Sequence, residues 1–256
     1  MFWFKRKKIV VDCFVNLPAV HELFKIDKAS KFMPKEWKAL PAFENLKADE
    51  QPRTKMLIPV STSKRCVALA NLFSTGFVIP AWTDFGVEVF HDGSFNIQNP
   101  MKDLHGDTHP SWMYWDSLYK GYQHIKLYNP WLLREKSGIQ FHWSQIDYQN
   151  TERHTNVHML TGVVDYQAQH DTHINMFVKK GTVTHFSAGE PLIQVVPLTE
   201  HDVETRCHLV DNREYNRMTQ EYGQKLMWFG QHRALLNKRK EEEQPRCPFN
   251  FSRDSK

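Results

Sequence analysis

The chain has no Gly-x-Ser-x-Gly elbow, no P-loop and no Gly-x-Gly-x-x-Gly turn. It therefore lacks the signatures of the α/β-hydrolase nucleophile, of phosphate-cradling NTPases and of dinucleotide-binding folds. Cysteine is sparse: Cys13, Cys66, Cys207 and Cys247 are far apart and form no Cys-x-x-Cys pair. That pattern suits reduced thiols in a cytoplasmic protein and argues against a disulfide framework. Long apolar runs are missing too. The opening Met1-Phe-Trp-Phe-Lys-Arg-Lys-Lys8 places charge after its apolar residues, which fits neither a signal peptide nor a membrane span. An edge strand guarded by lysines is the plainer reading, and contact of this aromatic-basic start with a membrane surface is the alternative. Charge of one sign is not in excess. The net charge is +4, and no dense basic stripe interleaves with stacking aromatics, so there is no strong nucleic-acid signal, although an acidic partner is permitted. Internal repeats and low-complexity linkers are absent.

What is present favours β structure. The 256 residues can bury a sizeable core. Aromatic residues make up 13% (Phe 17, Trp 8, Tyr 8), and they suit pleated, half-buried surfaces. Residues 1–210 are expected to form a single, mainly antiparallel β domain, with a first strand over residues 5–15. A lysine-rich arm punctuated by proline covers 27–54, and Pro34 can open a helical turn at Lys35 to Leu40. From Val67 to Val89 two apolar stretches flank Ser74-Thr75-Gly76, a turn signal. Short strands resume from residue 122 and run to 198. In that unit Ile174, Met176 and Val178 share one face by period-two burial. A C-terminal helix is expected over 211–243, opened by Asp211 and Glu214 as a capping box. Tyr215, Met218, Tyr222, Leu226 and Phe229 recur on it at helical spacing. Residues 244–256 read as a loose tail.

The stretch from Lys136 to Pro197 carries the most chemistry. Lys136-Ser137-Gly138, Gly162-Val-Val-Asp165 and Gly189-Glu-Pro-Leu-Ile-Gln194 follow one another in it. Gly162 permits an unusual backbone turn, and two β-branched valines then present Asp165 at a strand end. Lys179-Lys-Gly181 and Ala188-Gly-Glu190 read as turns of a compact antiparallel unit. These motifs resemble those of the dUTPase and dCTP-deaminase superfamily, whose fold is the β-clip. The resemblance covers about 60 residues. It implies an antiparallel β-clip or barrel-like core. It also implies that Asp165 activates an attacking water with Mg²⁺, and that Lys136, Ser137, Gly138 and Gln194 bind the nucleotide. The chain departs from the family's pattern at several places. Ala168 stands where a sugar-stacking tyrosine is usual, and His170 where a glycine is expected. Lys136 replaces an arginine and loses its bidentate phosphate fork. The Asp-x-Gly-x-Asp-Leu opening motif and the glycine-rich C-terminal arm are missing.

A second resemblance runs over roughly residues 9–215. Ala29-Ser-Lys-Phe-x-Pro-x-x-Trp-Lys-x-Leu-Pro41, Val78-Ile-Pro-Ala-Trp-Thr-Asp84, Tyr128-Asn-Pro-Trp-Leu-Leu-Arg-Glu-Lys-Ser-Gly-Ile139 and His173-Ile-Asn-Met-Phe177 carry it. They are similar to a family of uncharacterised proteins encoded by tailed phages of marine bacteria and by some bacteria. This implies a phage origin, and with it the cytoplasm of an infected host or the virion as location.

Histidine is abundant at 14, which raises a metal site. His105-Gly-Asp107 has the H-x-D pattern of jelly-roll Fe(II) oxygenases, with His173 or His185 available to complete a facial triad. Yet no arginine occurs between Arg153 and Arg206 to hold a co-substrate carboxylate, and Gly106, Asp107 and Pro110 read equally as turn chemistry. The sequence thus favours a non-enzymatic binding or assembly protein, with protein partners or self-association and no cofactor. Diverged nucleotide hydrolysis with Mg²⁺ and iron oxygenation are the alternatives. Trp82, Trp112, Trp115 and Trp131 are candidate interface anchors, with core packing as the plainer role.

Overall fold

A computed structural model describes residues 8–45, 59–100, 106–108, 119–149, 151–167 and 173–226. Along the chain the strands are β1 (Ile9–Val15), β2 (Asp27–Lys28), β3 (Phe43–Asn45), β4 (Pro59–Ser61), β5 (Phe77–Pro80), β6 (Phe85–Val89), β7 (Phe95–Gln98), β8 (Gly106–Asp107), β9 (Tyr122–Leu127), β10 (Leu132–Glu135), β11 (Gln140–Gln145), β12 (Val157–Met159), β13 (Gly162–Asp165), β14 (Ile174–Lys179), β15 (Thr182–Phe186), β16 (Pro191–Pro197) and β17 (Val203–Leu209). The α-helices are α1 (Pro18–Leu23), α2 (Lys35–Ala39), α3 (Val67–Ser74) and α4 (Asn212–Leu226). The protein is mainly β. Among the described residues the strands form five sheets, ordered β10-β1-β17, β13-β11-β16-β5-β2, β12-β14-β9-β8, β15-β6-β7 and β3-β4. All the pairs are antiparallel except β1 with β17. None of these sheets closes into a barrel. Edge strands β2 and β8 are two residues long, too short to carry a ladder onward.

Alternation explains the core. In β1, Ile9, Val11, Cys13 and Val15 are buried while the residues between them are half-exposed. In β14, Ile174, Met176 and Val178 are buried as period two requires, and Phe177 on the other face is covered by the ring of Tyr119. Side chains from four of the sheets then merge into one apolar cluster that includes Val11, Phe77, Phe85, Trp131, Phe141 and Met176. Trp82 and Trp131 belong to this core and are not interface anchors; Trp112 and Trp115 lie outside the described residues.

The arm is built of short elements. Pro34 caps α2, whose Trp37 packs edge-on against Phe73 of α3 at 4.9 Å. The first apolar stretch of 67–89 is helical (α3), and the second forms β5 and β6. At the far end, Asp211 Oδ1 accepts the Glu214 amide at 2.8 Å, as the capping box requires. Glu214 does not return the bond; its carboxylate takes Arg217 Nε at 2.9 Å. Tyr215 donates its hydroxyl to the Pro130 carbonyl at 2.9 Å and Met218 is buried, which docks the helix beside β10. The helix extends to Leu226 among the described residues; Phe229 and the rest of 227–256 lie outside them. Asp211→Ala should lower stability by about 1 kcal/mol, read as a shift in urea midpoint with unchanged slope.

Candidate functional site

Strand β10 ends in Glu135, a residue that none of the binding motifs includes. It is 2% exposed, and its carboxylate accepts the amides of Ser137 and Gly138, the latter at 2.8 Å. Gly138, at φ +73°, then turns the chain into β11. Asp165 closes β13, opposite Gln140 of β11. Its Oδ1 accepts the Gln167 amide at 2.9 Å, and Gln167 Nε2 donates to the Lys136 carbonyl at 3.3 Å. The structure therefore brings Lys136, Ser137 and Gly138 beside Asp165, with Gln167 as the bridge. Beneath them Trp143 Nε1 donates to the hydroxyl of Tyr166, which is fully buried. Ala168 and His170 lie outside the described residues. The Glu135 carboxylate closes this turn on amides two and three residues ahead, within the local run Glu135-Lys136-Ser137-Gly138.

Gln194 is elsewhere. On β11, Asp165 pairs opposite Gln140 and Gln194 opposite Ser144, so the two lie on opposite sides of β11 and are offset by four residues, roughly 13 Å, along it. It is 1% exposed and fully engaged. Its Nε2 donates to the carbonyls of Leu72 at 2.7 Å and Thr75 at 3.0 Å. Its Oε1 accepts the Tyr148 hydroxyl at 3.1 Å. Carbonyls at a helix end need such partners, and Gln194 supplies them for α3. Burial of Tyr148 pushes its phenol up to about 12.

The remainder of the Gly189–Gln194 motif is also spent on the scaffold. Gly189 donates its amide to Ala81 at 2.7 Å, and the Glu190 carbonyl accepts the Ala81 amide at 2.8 Å. The Glu190 carboxylate receives a fork from Arg153, with Nη2 to Oε2 at 3.0 Å. The same guanidinium lies 4.2 Å from the ring centre of Phe186.

The proposed iron ligands are split. Asp107 lies on β8 opposite Lys126, and its Oδ1 accepts the Thr108 amide at 2.7 Å. His173 precedes β14 and meets Tyr128 edge-on at 4.8 Å. Strand β9 separates them, which puts them roughly 10 Å apart across the sheet and two residues out of line. His105 lies outside the described residues. Among the described residues no three His, Cys, Asp or Glu side chains are placed to share a metal ion. His158 stacks on Tyr119 at 4.8 Å, and burial, then the nearby His154, lowers its pKa.

No family model matches the chain, and no curated protein matches it. Its chemistry therefore rests on its own geometry.

Two clefts open on the surface, and of these motifs only Pro191 lines either of them. One, of about 700 Å³, runs between the start of β17 and the α3–β5 turn and mixes Lys8, Lys28 and His201 with Asp27, Asp202 and Glu204. The other, of about 530 Å³, is edged by Lys31, Lys35 and Lys38, with Phe32 and Tyr148 in its lining. Neither includes Lys136, Ser137, Asp165 or Gln194. No helix among the described residues is long and apolar enough to cross a membrane.

Proposed function

We propose that the protein is a non-catalytic binding or assembly component of phage origin, acting through protein partners or self-association in the infected host or in the virion. The observation that carries this reading is the use of Gln194 and Glu190: both polar side chains of the last motif are consumed by internal bonds. A nucleotide pocket that needs them has lost them to the scaffold. The arm offers a surface of the required kind. Lys64 Nζ bonds the carbonyls of Trp37 at 3.0 Å and Lys38 at 2.9 Å, and Arg65 lies over the Phe43 ring at 4.5 Å, so the arm and the segment leading into α3 form one unit. That unit exposes Lys35 and Lys38, with Glu36 and Glu44, and also the apolar Phe43, Val60, Val67 and Leu72. Apolar side chains interspersed with cations suit an acidic protein surface.

A second reading draws on the link that Gln167 makes between Asp165 and the Lys136 carbonyl, next to Ser137. It is a diverged nucleotide hydrolase in which Asp165 would hold a Mg²⁺ ion delivered with substrate phosphates, since such ions need only one or two carboxylates. Melting the protein with dUTP or dCTP plus Mg²⁺ separates the two readings. A ligand at 100 times its Kd adds roughly 2.7 kcal/mol to the folded state. No shift is expected, in the parent or in Asp165→Asn. A shift in the parent that Asp165→Asn abolishes would establish the hydrolase instead. Sedimentation velocity over a wide concentration range then distinguishes self-association from binding to another protein.

A further inference from the structure

The cysteines that lie far apart in sequence include two that the fold makes neighbours. In the parallel pairing of β1 with β17, Cys13 stands directly opposite Cys207. Opposed residues of adjacent strands project to the same side, with backbones roughly 4.8 Å apart. That separation falls within the Cα range of about 4.4–6.8 Å that a disulfide spans without moving the backbone.

The two thiols are unequal. Cys13 is buried, with its sulfur 3.7 Å from the Val11 carbonyl. Cys207 is half-buried on the outer strand of its sheet, with its sulfur 3.5 Å from the Ile26 carbonyl. Burial raises Cys13, and the nearby Asp12 adds to this. The hydrogen bond from Cys13 lowers Cys207 and outweighs the partial burial that would raise it; Lys25 acts in the lowering direction and Asp27 opposes it. The accessible sulfur is thus the better nucleophile, and the buried one is held beside it.

We propose that Cys13 and Cys207 form a reversible disulfide in which Cys207 attacks and Cys13 resolves. The oxidant is a small-molecule disulfide such as oxidised glutathione. The Cys207 thiolate attacks one of its sulfurs, the S–S bond breaks, and one glutathione leaves as thiolate. The Cys13 sulfur, giving up its proton, then attacks Cys207 Sγ and expels the second glutathione. Two cysteine thiols are oxidised to one disulfide, and one glutathione disulfide is reduced to two thiols. The bond would fasten the first described strand to the last. Val210, just past β17, donates its amide to Val15 at 2.9 Å and leads into α4. The disulfide therefore anchors the root of the C-terminal helix to β1.

The test uses the full chain carrying Cys66→Ser and Cys247→Ser, titrated with oxidised glutathione and followed by intact mass and peptide mapping without reductant. The expected product has lost two hydrogens and joins the Cys13 and Cys207 peptides. Its melting midpoint rises by about 5–10 °C, and dithiothreitol reverses the change. A glutathione adduct that persists on Cys207, or two unmodified thiols in the folded protein, would overturn the proposal. Adding Cys207→Ser should leave Cys13 unmodified while the protein stays folded. Modification of Cys13 in that variant at the parental rate would refute Cys207 as the attacking thiol.

Discussion

Gly76→Ala is expected to destabilise the protein by more than about 4 kcal/mol, which places it at the severe end of single substitutions. Gly76 sits between α3 and β5 at φ +76°, a backbone state that L side chains adopt at a cost. Conformation alone would account for about 1–2 kcal/mol. The larger part is steric. An added Cβ would come within 3.0 Å of the Val195 carbonyl carbon and 3.1 Å of Val196 Cα, with the Val195 oxygen closer still. These atoms belong to the backbone of β16, which is paired on both sides by β5 and β11 and cannot swing away as a side chain would. The Gly76 carbonyl also accepts the Ala29 amide at 3.1 Å, so relief by twisting the turn would release the arm. Gly121→Ala is the matched comparison: φ is +87°, but nothing lies within 4 Å of the new Cβ. It should cost about 1 kcal/mol. Equal urea midpoints for the two variants would refute the steric account.

Glu190→Ala should cost about 3–5 kcal/mol, because it strands a poorly solvated guanidinium. The Arg153 side chain is 17% exposed and that of Glu190 12%. Between them they form a forked, charge-assisted pair above Phe186. Truncating either partner leaves the other charge poorly solvated and without its counter-ion. Replacing both by apolar residues of similar volume, Arg153→Met with Glu190→Leu, should recover most of the loss, since desolvation offsets much of the pair's attraction. Equilibrium unfolding of the two single variants and the double reads this as a coupling energy. If Glu190 served a ligand and not the scaffold, Glu190→Ala would leave the unfolding midpoint unchanged.

Several features were legible before any coordinates. The first strand, the alternation in β14, the start of α2 after Pro34, the Asp211 cap and the glycine turns at Gly181 and Gly189 all emerge where expected. Each depends on residues within four positions of one another. Burial period, a capping oxygen and a positive φ are local properties, so local sequence determines them. Two of the three motif segments, Lys136–Gly138 and Gly162–Asp165, also meet at one turn.

What those segments do was decided by partners remote in sequence. Gln194 looks the same in a string of letters whether it faces a nucleotide or the end of α3; 119 residues separate it from Thr75, whose carbonyl it binds. Glu190 meets Arg153 only because β16 begins beside the turn before β12. Asp107 and His173 are held apart by β9, which no spacing between them in the chain reveals. The same holds for Cys13 and Cys207, neighbours through a parallel pairing of the first and last strands. The sequence by itself determined a mainly β chain with a capped C-terminal helix, since those follow from short-range stereochemistry and burial. Tertiary structure alone decided which polar side chains were consumed and which thiols met, because strand pairing sets those distances and local pattern does not.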